Sequence, residues 1–263
     1  MTLPGRCIRG EHFHRSAGGN GFGINARNKV SVFTAPVKRF CADSARRMRG
    51  LRTSTLPYSG GVVEYGVVDY GSSPDAGRET PSTLFLHGLA GTLEDVRPLA
   101  SGVPGRKVFA NLPAHGRSTG PDDLAAYSWP ALAEDLLALV EHVFPGEQVY
   151  GIGSSMGSAT LLHAAPAAPG VFSGVTLCIP PTAWESRVAQ RAAYDECARV
   201  VETDGVDALV DAGRLVPLPP AENPDKPVTW PDVAAELLPT VFRGAALTDL
   251  PDPVVPHELK VLR

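Results

Sequence analysis

No stretch of the 263 residues approaches the ~20 consecutive apolar positions that a membrane-crossing helix needs. No succession of basic, apolar and small residues marks a secretory signal either, so a soluble, cytoplasmic protein with no membrane partner is expected. Cysteine is sparse. Cys7, Cys41, Cys178 and Cys197 stand too far apart for a CxxC zinc pair and fit ordinary thiols in a reducing compartment. His12 and His14 have only Glu11 and Cys7 nearby, neither at ligand spacing, so no metal is expected, and nothing signals a cofactor. Acidic residues are nearly missing from one end: residues 1–52 hold 11 of the 24 Lys+Arg but 2 of the 28 Asp+Glu, a net +9 against −13 for the remainder. Internal repeats are lacking as well.

What is present divides into two textures. Residues 1–55 are rich in Arg, Gly and Ser, include Gly18-Gly19-Asn20-Gly21-Phe22-Gly23 and show no sustained apolar period, which predicts a disordered basic extension. A transit peptide, a nucleic-acid tail and an over-extended start, with Met48 as the internal alternative, are the open readings of that extension. Residues 56–263 read as one domain, large enough to bury a core at 43% hydrophobic content.

From Gly61 onward, short apolar runs alternate with helical periods, the pattern of βαβ units in a mainly parallel sheet covered on both faces. Strands are predicted over 62–70, where two are read, and over 83–86, 107–110, 148–152 and 175–179. Ser128 caps a helix with Pro130 in its first turn, and Leu132, Leu136, Leu139, Val140 and Val143 share one face of it. Thr92 with Asp95 opens another helix, 156–168 a third. Beyond the strand at 175–179, helical segments over 183–212 and 233–247 flank a proline-rich loop at 216–231, which predicts a lid over about 182–250.

Gly153-Ser154-Ser155-Met156-Gly157 sits between a strand and a helix, the context in which G-x-S-x-G becomes a nucleophile elbow. Small neighbours let the chain turn sharply, exposing the Ser155 hydroxyl above the sheet with a helix N-terminus behind it. Such chemistry needs two backbone N–H donors for the oxyanion. Met156 would give one, and Leu89, in His87-Gly88-Leu89-Ala90-Gly91 after a buried strand, the other, with Gly88 allowing close approach. His87 reads as a loop anchor rather than a base.

His87-Gly88, the run Asn111-Leu112-Pro113-Ala114-His115-Gly116-Arg117-Ser118 and the Ser155 elbow stand in the order found in α/β-hydrolases. Over about residues 62–253 the chain resembles that family, particularly its bacterial esterase and enol-lactone-hydrolase-like members. The resemblance implies an eight-stranded, mostly parallel, doubly wound sheet with a helical lid after the sixth strand. It also implies a serine hydrolase acting on a small-molecule ester, thioester or lactone. Asn111 departs from the Asp usual at its place, and the segment reads as loop packing.

In the family the acid and the histidine follow the seventh and eighth strands, whereas this sequence reads as stopping before the seventh. His115 and His142 precede Ser155, and His163 follows it by eight residues on the same helix. The late candidates are Asp252 and His257, only five residues apart, and Glu185 after the sixth strand. Without a base the serine is a poor nucleophile, so a non-catalytic relic is the competing expectation. A sheet ending at its sixth strand would also leave an open edge and invite self-association. A dinucleotide site at Gly151, Gly153 and Gly157 is disfavoured by spacing and by the absence of an acid between Gly157 and Glu185.

Overall fold

The computed structural model describes residues 29–33, 51–58, 60–69, 82–100, 103–181, 185–211 and 232–249. Seven strands form one sheet: β1 (Lys29–Phe33), β2 (Arg52–Tyr58), β3 (Gly61–Asp69), β4 (Ser82–Leu86), β5 (Arg106–Ala110), β6 (Val149–Ser154) and β7 (Phe172–Cys178). Their order across the sheet is β1-β7-β6-β4-β5-β3-β2. The β1, β7, β6, β4 and β5 strands run parallel, while β3 is antiparallel to both β5 and β2.

The central strands are apolar along their whole length because both faces are covered. Every residue of β4 is buried, and Phe85 stacks on Phe109 of β5 with ring centroids 4.8 Å apart. One face receives α2 (Trp129–Val143) and α3 (Met156–Ala167); the other receives α1 (Leu93–Val96) and the 3-10 turn Arg97–Ala100. The expected caps are in place. Ser128 Oγ accepts the Ala131 N–H of α2, with Pro130 in the first turn, and Thr92 and Asp95 form a reciprocal capping box on α1.

Three expectations need correcting. The segment 62–70 is one strand, β3, and its hairpin partner β2 begins within the stretch read as disordered. Its sequence, Arg-Thr-Ser-Thr-Leu-Pro-Tyr, is largely exposed, so an edge strand there has no buried face to print an apolar period on the sequence. The edge beyond β7, expected to be open, carries β1, which pairs in parallel from Lys29↔Gly174 to Phe33↔Cys178. Finally, 233–237 is not helical. Val233 makes an isolated antiparallel bridge to His115, and α5 starts only at Leu238 (Leu238–Ala246). The proline-rich loop at 216–231, His12, His14, Cys7, Cys41, Trp184, Asp252 and His257 lie outside the described residues.

After β7, α4 (Glu185–Asp211) and α5 pair into the lid, with a break in α4 at Gly205, φ 86°. Phe242 is buried in the lid's own core beside Tyr194. No described helix is long and apolar enough to cross a membrane. With residues 1–50 deleted, β7 loses its outer neighbour among the described residues, and the variant should associate with rising concentration in light scattering while the full chain does not. Identical scattering for the two would mean β1 does not protect that edge.

Candidate active site at the carboxyl ends of the parallel strands

Among the described residues, four non-glycine positions take a positive φ: Ala90 (61°), Ala114 (66°), Ser155 (49°) and Ile179 (44°). They follow β4, β5, β6 and β7 respectively, all at the carboxyl ends of the parallel strands. Left-handed backbone at residues with a Cβ is costly and concentrates where function holds it in place. Ligands of open α/β sheets bind at this same end.

Ser155 is the hinge between β6 and α3, with φ 49° and ψ −108°. Its N–H donates to Cys178 O at 2.9 Å, and its carbonyl accepts the N–H groups of Ser158 and Ala159 at 2.9 and 3.1 Å. The glycines on either side are sterically required. A Cβ on Gly153 would stand 2.5 Å from the Gly157 carbonyl, and one on Gly157 would stand 2.6 Å from Leu86 Cβ. Gly157 N–H also reaches His87 O at 3.0 Å, stitching the start of α3 to the end of β4. Ser158, fully buried, donates its hydroxyl to Gly153 O at 2.7 Å and lies 3.2 Å from Cys178 O.

The Ser155 side chain is half-buried and faces the loop after β4. A Cβ on Gly88 would lie 3.3 Å from Ser155 Cβ and 3.9 Å from its Oγ, so any side chain there would crowd the space beside the serine. The Gly88 carbonyl accepts from His87 Nδ1–H at 2.7 Å and from Gly91 N–H at 3.1 Å. Because a trans peptide is planar, a carbonyl held on that side turns the Leu89 N–H to the other. Met156 is the first residue of α3, where an N–H has no intrahelical acceptor. Neither the Leu89 N–H nor the Met156 N–H meets an acceptor among the described residues.

The two histidines near this loop are not free. His87, completely buried, takes the Leu112 N–H on Nε2 at 2.9 Å while Nδ1 serves Gly88. His115 Nδ1–H donates to Pro113 O at 2.8 Å. The rings lie 4.9 Å apart. Burial pushes His87 down to about 3, helped by the neighbouring His115, and pushes His115 down to about 4 against the pull of two backbone hydrogen bonds. Both are therefore neutral near pH 7. His163 Nε2 is 3.0 Å from Asp249 O, and His142 Nε2 is 3.4 Å from the Tyr65 hydroxyl. Glu185 opens α4, seven residues past the end of β7.

Two buried polar residues gave no sequence signal. Glu64 sits in the core side of β3, where its Oε2 accepts Asn111 Nδ2–H at 2.8 Å and Arg117 N–H at 3.3 Å. An aspartate at 111 would set two carboxylates against each other, which accounts for the departure from the family's usual residue. Asn111 Oδ1 in turn accepts the Leu93 N–H at 2.7 Å, and Ser118 Oγ spans Glu64 N and Asn111 O. Arg187, on the lid, is fully buried between Trp129 and Tyr194, 5.2 and 5.5 Å from the ring centres, and donates to the Ala245 carbonyl. It fastens α4 to α2 and α5.

The model of the α/β hydrolase fold family matches residues 81–199, the stretch from β4 through the elbow into the lid. The chain has the α/β-hydrolase fold. Its likeness to a hydrolase from Pseudomonas aeruginosa PA01 has a TM-score of 0.58 at 21% identity, over 75% of this chain and 74% of that one. A thermophilic esterase from Thermogutta terrifontis matches with a TM-score of 0.54 at 18% identity, over 76% and 71%. Among curated proteins, the chloroplastic protein PHYLLO of Arabidopsis thaliana is 27% identical over 213 residues, 70% of this chain. The chain spans 12% of that protein's length. Within the α/β-hydrolase fold, β2 to β7 supply the first six strands expected from the sequence.

Gly157→Ala should cost about 1–3 kcal/mol in denaturant unfolding, since the new methyl has backbone and Leu86 within clash distance. The buried histidines set an acid limit on stability. In the unfolded chain they take up protons below about 6.5, while in the folded chain they do so only near 4 and 3, so acid favours unfolding. Their contribution is complete above pH 6.5 and declines down to those values, by at most about 1.4 kcal/mol per pH unit for each ring. Denaturant midpoints between pH 7 and pH 4 should fall less steeply for His115→Gln than for the unaltered chain.

Proposed function

We propose that the chain is a serine hydrolase that acts on an ester, thioester or lactone through an acyl-enzyme at Ser155. The observation carrying this reading is a strained, half-buried serine whose side chain faces Gly88, flanked by two backbone N–H groups without acceptors among the described residues. In this reading the Leu89 and Met156 amides receive the oxyanion as the Ser155 Oγ adds to the substrate carbonyl. The α3 N-terminus supports the developing negative charge. Loss of the alcohol or thiol group leaves the acyl-enzyme, and water then releases the acid.

The proton on Ser155 has to go to a base. Each histidine of the described residues is engaged elsewhere: His87 and His115 with backbone on both ring nitrogens, His142 with Tyr65 and His163 with the Asp249 carbonyl. The base and its acid partner are therefore sought outside those residues, where Asp252 and His257 lie on this chain. The same engagement of the histidines favours a second reading, a non-catalytic member that retains the pocket without turnover.

A fluorophosphonate probe separates the two. The first reading expects stoichiometric labelling that Ser155→Ala abolishes, together with hydrolysis of a p-nitrophenyl ester that falls by about a thousandfold or more in the same variant. Folded protein that neither labels nor hydrolyses would leave the second reading standing.

A further inference from the structure

The peptide bearing the Leu89 N–H is held on its Gly88 side by His87, but a turn fixed at one end still swings at the other. We infer that His115 is a positioning residue for the Leu89 oxyanion donor, acting through Ala90. This rests on the proposed role of Ser155 and extends it.

Ala90, the residue after the donor, is fully buried and holds φ 61° despite its methyl group. Both its peptide groups are tied. Its N–H donates to His115 Nε2 at 3.0 Å, and its carbonyl accepts the Asp232 N–H at 3.1 Å. The acceptor on His115 is available only because the other ring nitrogen donates to Pro113 O, which sets the tautomer. Asp232 is itself anchored, since its carbonyl accepts the Gly116 N–H at 2.9 Å and Val233 bridges to His115. The lid's return segment and the loop after β5 thus grip the same residue from two sides. Leu89 follows suit: its side chain packs against both the sheet core and the lid core.

An Ala in left-handed backbone reverts to a right-handed or extended conformation when its constraints go. Such a reversion turns the Leu89–Ala90 peptide and, through the Leu89 Cα, the preceding peptide, whose N–H should face the oxyanion. A small misalignment of a preorganised donor is felt in the rate of bond formation rather than in ground-state binding. His115 touches neither Ser155 nor a substrate in this scheme, so its effect runs through backbone geometry alone.

Two substitutions isolate the acceptor. His115→Gln places an amide oxygen near the Nε2 position, and His115→Phe keeps a ring without one. Fluorophosphonate kinetics should show the rate constant for labelling falling about tenfold or more in H115F, with the inhibition constant within about twofold of the unaltered chain. H115Q should recover most of the rate. Equal losses in both variants, or a change confined to the inhibition constant, would overturn the positioning role.

A second readout does not need labelling. The Ala90 amide should exchange with solvent about a hundredfold faster in H115F than in H115Q, with the Leu89 amide resonance displaced in H115F alone. Unchanged Ala90 exchange in H115F overturns the inference even if Ser155 is reactive. Exchange that responds as stated, in protein that no probe labels, would keep the His115–Ala90 coupling and remove the catalytic reading of Ser155 instead.

Discussion

The start of α3 is tied to both neighbouring strands by single hydrogen bonds: Ser155 N–H to Cys178 O on β7 and Gly157 N–H to His87 O on β4. Between those ties the backbone has to reverse within three residues, and it does so by placing Ser155 in left-handed space and omitting side chains at 153 and 157. The rest of the site follows from that constraint. A helix docked this closely leaves its first N–H, that of Met156, without an acceptor among the described residues. It also brings the loop after β4 close to the serine, so a Cβ at Gly88 would crowd Ser155 at 3.3 Å.

The surrounding polar network serves the loops rather than the core. Glu64, Asn111 and Ser118 fasten the loop after β5 to β3, His87 ties that loop's Leu112 to the end of β4, and Asn111 pins the start of α1. Each polar atom that burial takes from water here finds a partner in another loop, as buried polar groups must. The lid extends the same logic with Arg187, whose guanidinium lies between two aromatic rings and reaches a backbone carbonyl of α5. Lid, sheet and strand-end loops are consequently one packed body, not a cover laid over a finished site.

The edge of the sheet carries a different message. The sixth strand, counted from β2, is β7, and the position beside it is filled by β1 from the N-terminal region. Strand pairing beside β7 needs backbone donors and acceptors, and β1 supplies them from Lys-Val-Ser-Val-Phe, an apolar/polar alternation only five residues long. An alternation that short does not stand out within an Arg- and Gly-rich stretch, and β2 gives less signal still, because its exposed edge position selects polar residues.

Local order could be read directly from the residues wherever one segment carries its own instructions. Ser128 and Pro130 announce α2, Thr92 and Asp95 announce α1, and the all-apolar β4 announces a doubly covered strand, because caps and burial periods are written within a few positions of each other. The elbow was legible for the same reason: its two glycines and its serine lie within five residues between a strand and a helix. Tertiary structure alone decided what meets across long separations. Glu64 with Asn111, His115 with Ala90, Arg187 with Trp129 and β1 with β7 are pairings of residues that have no shared period and no spacing rule. Their contact exists only because the sheet order brings distant strand ends together, and hydrogen-bond complementarity at those ends is a property of the assembled fold.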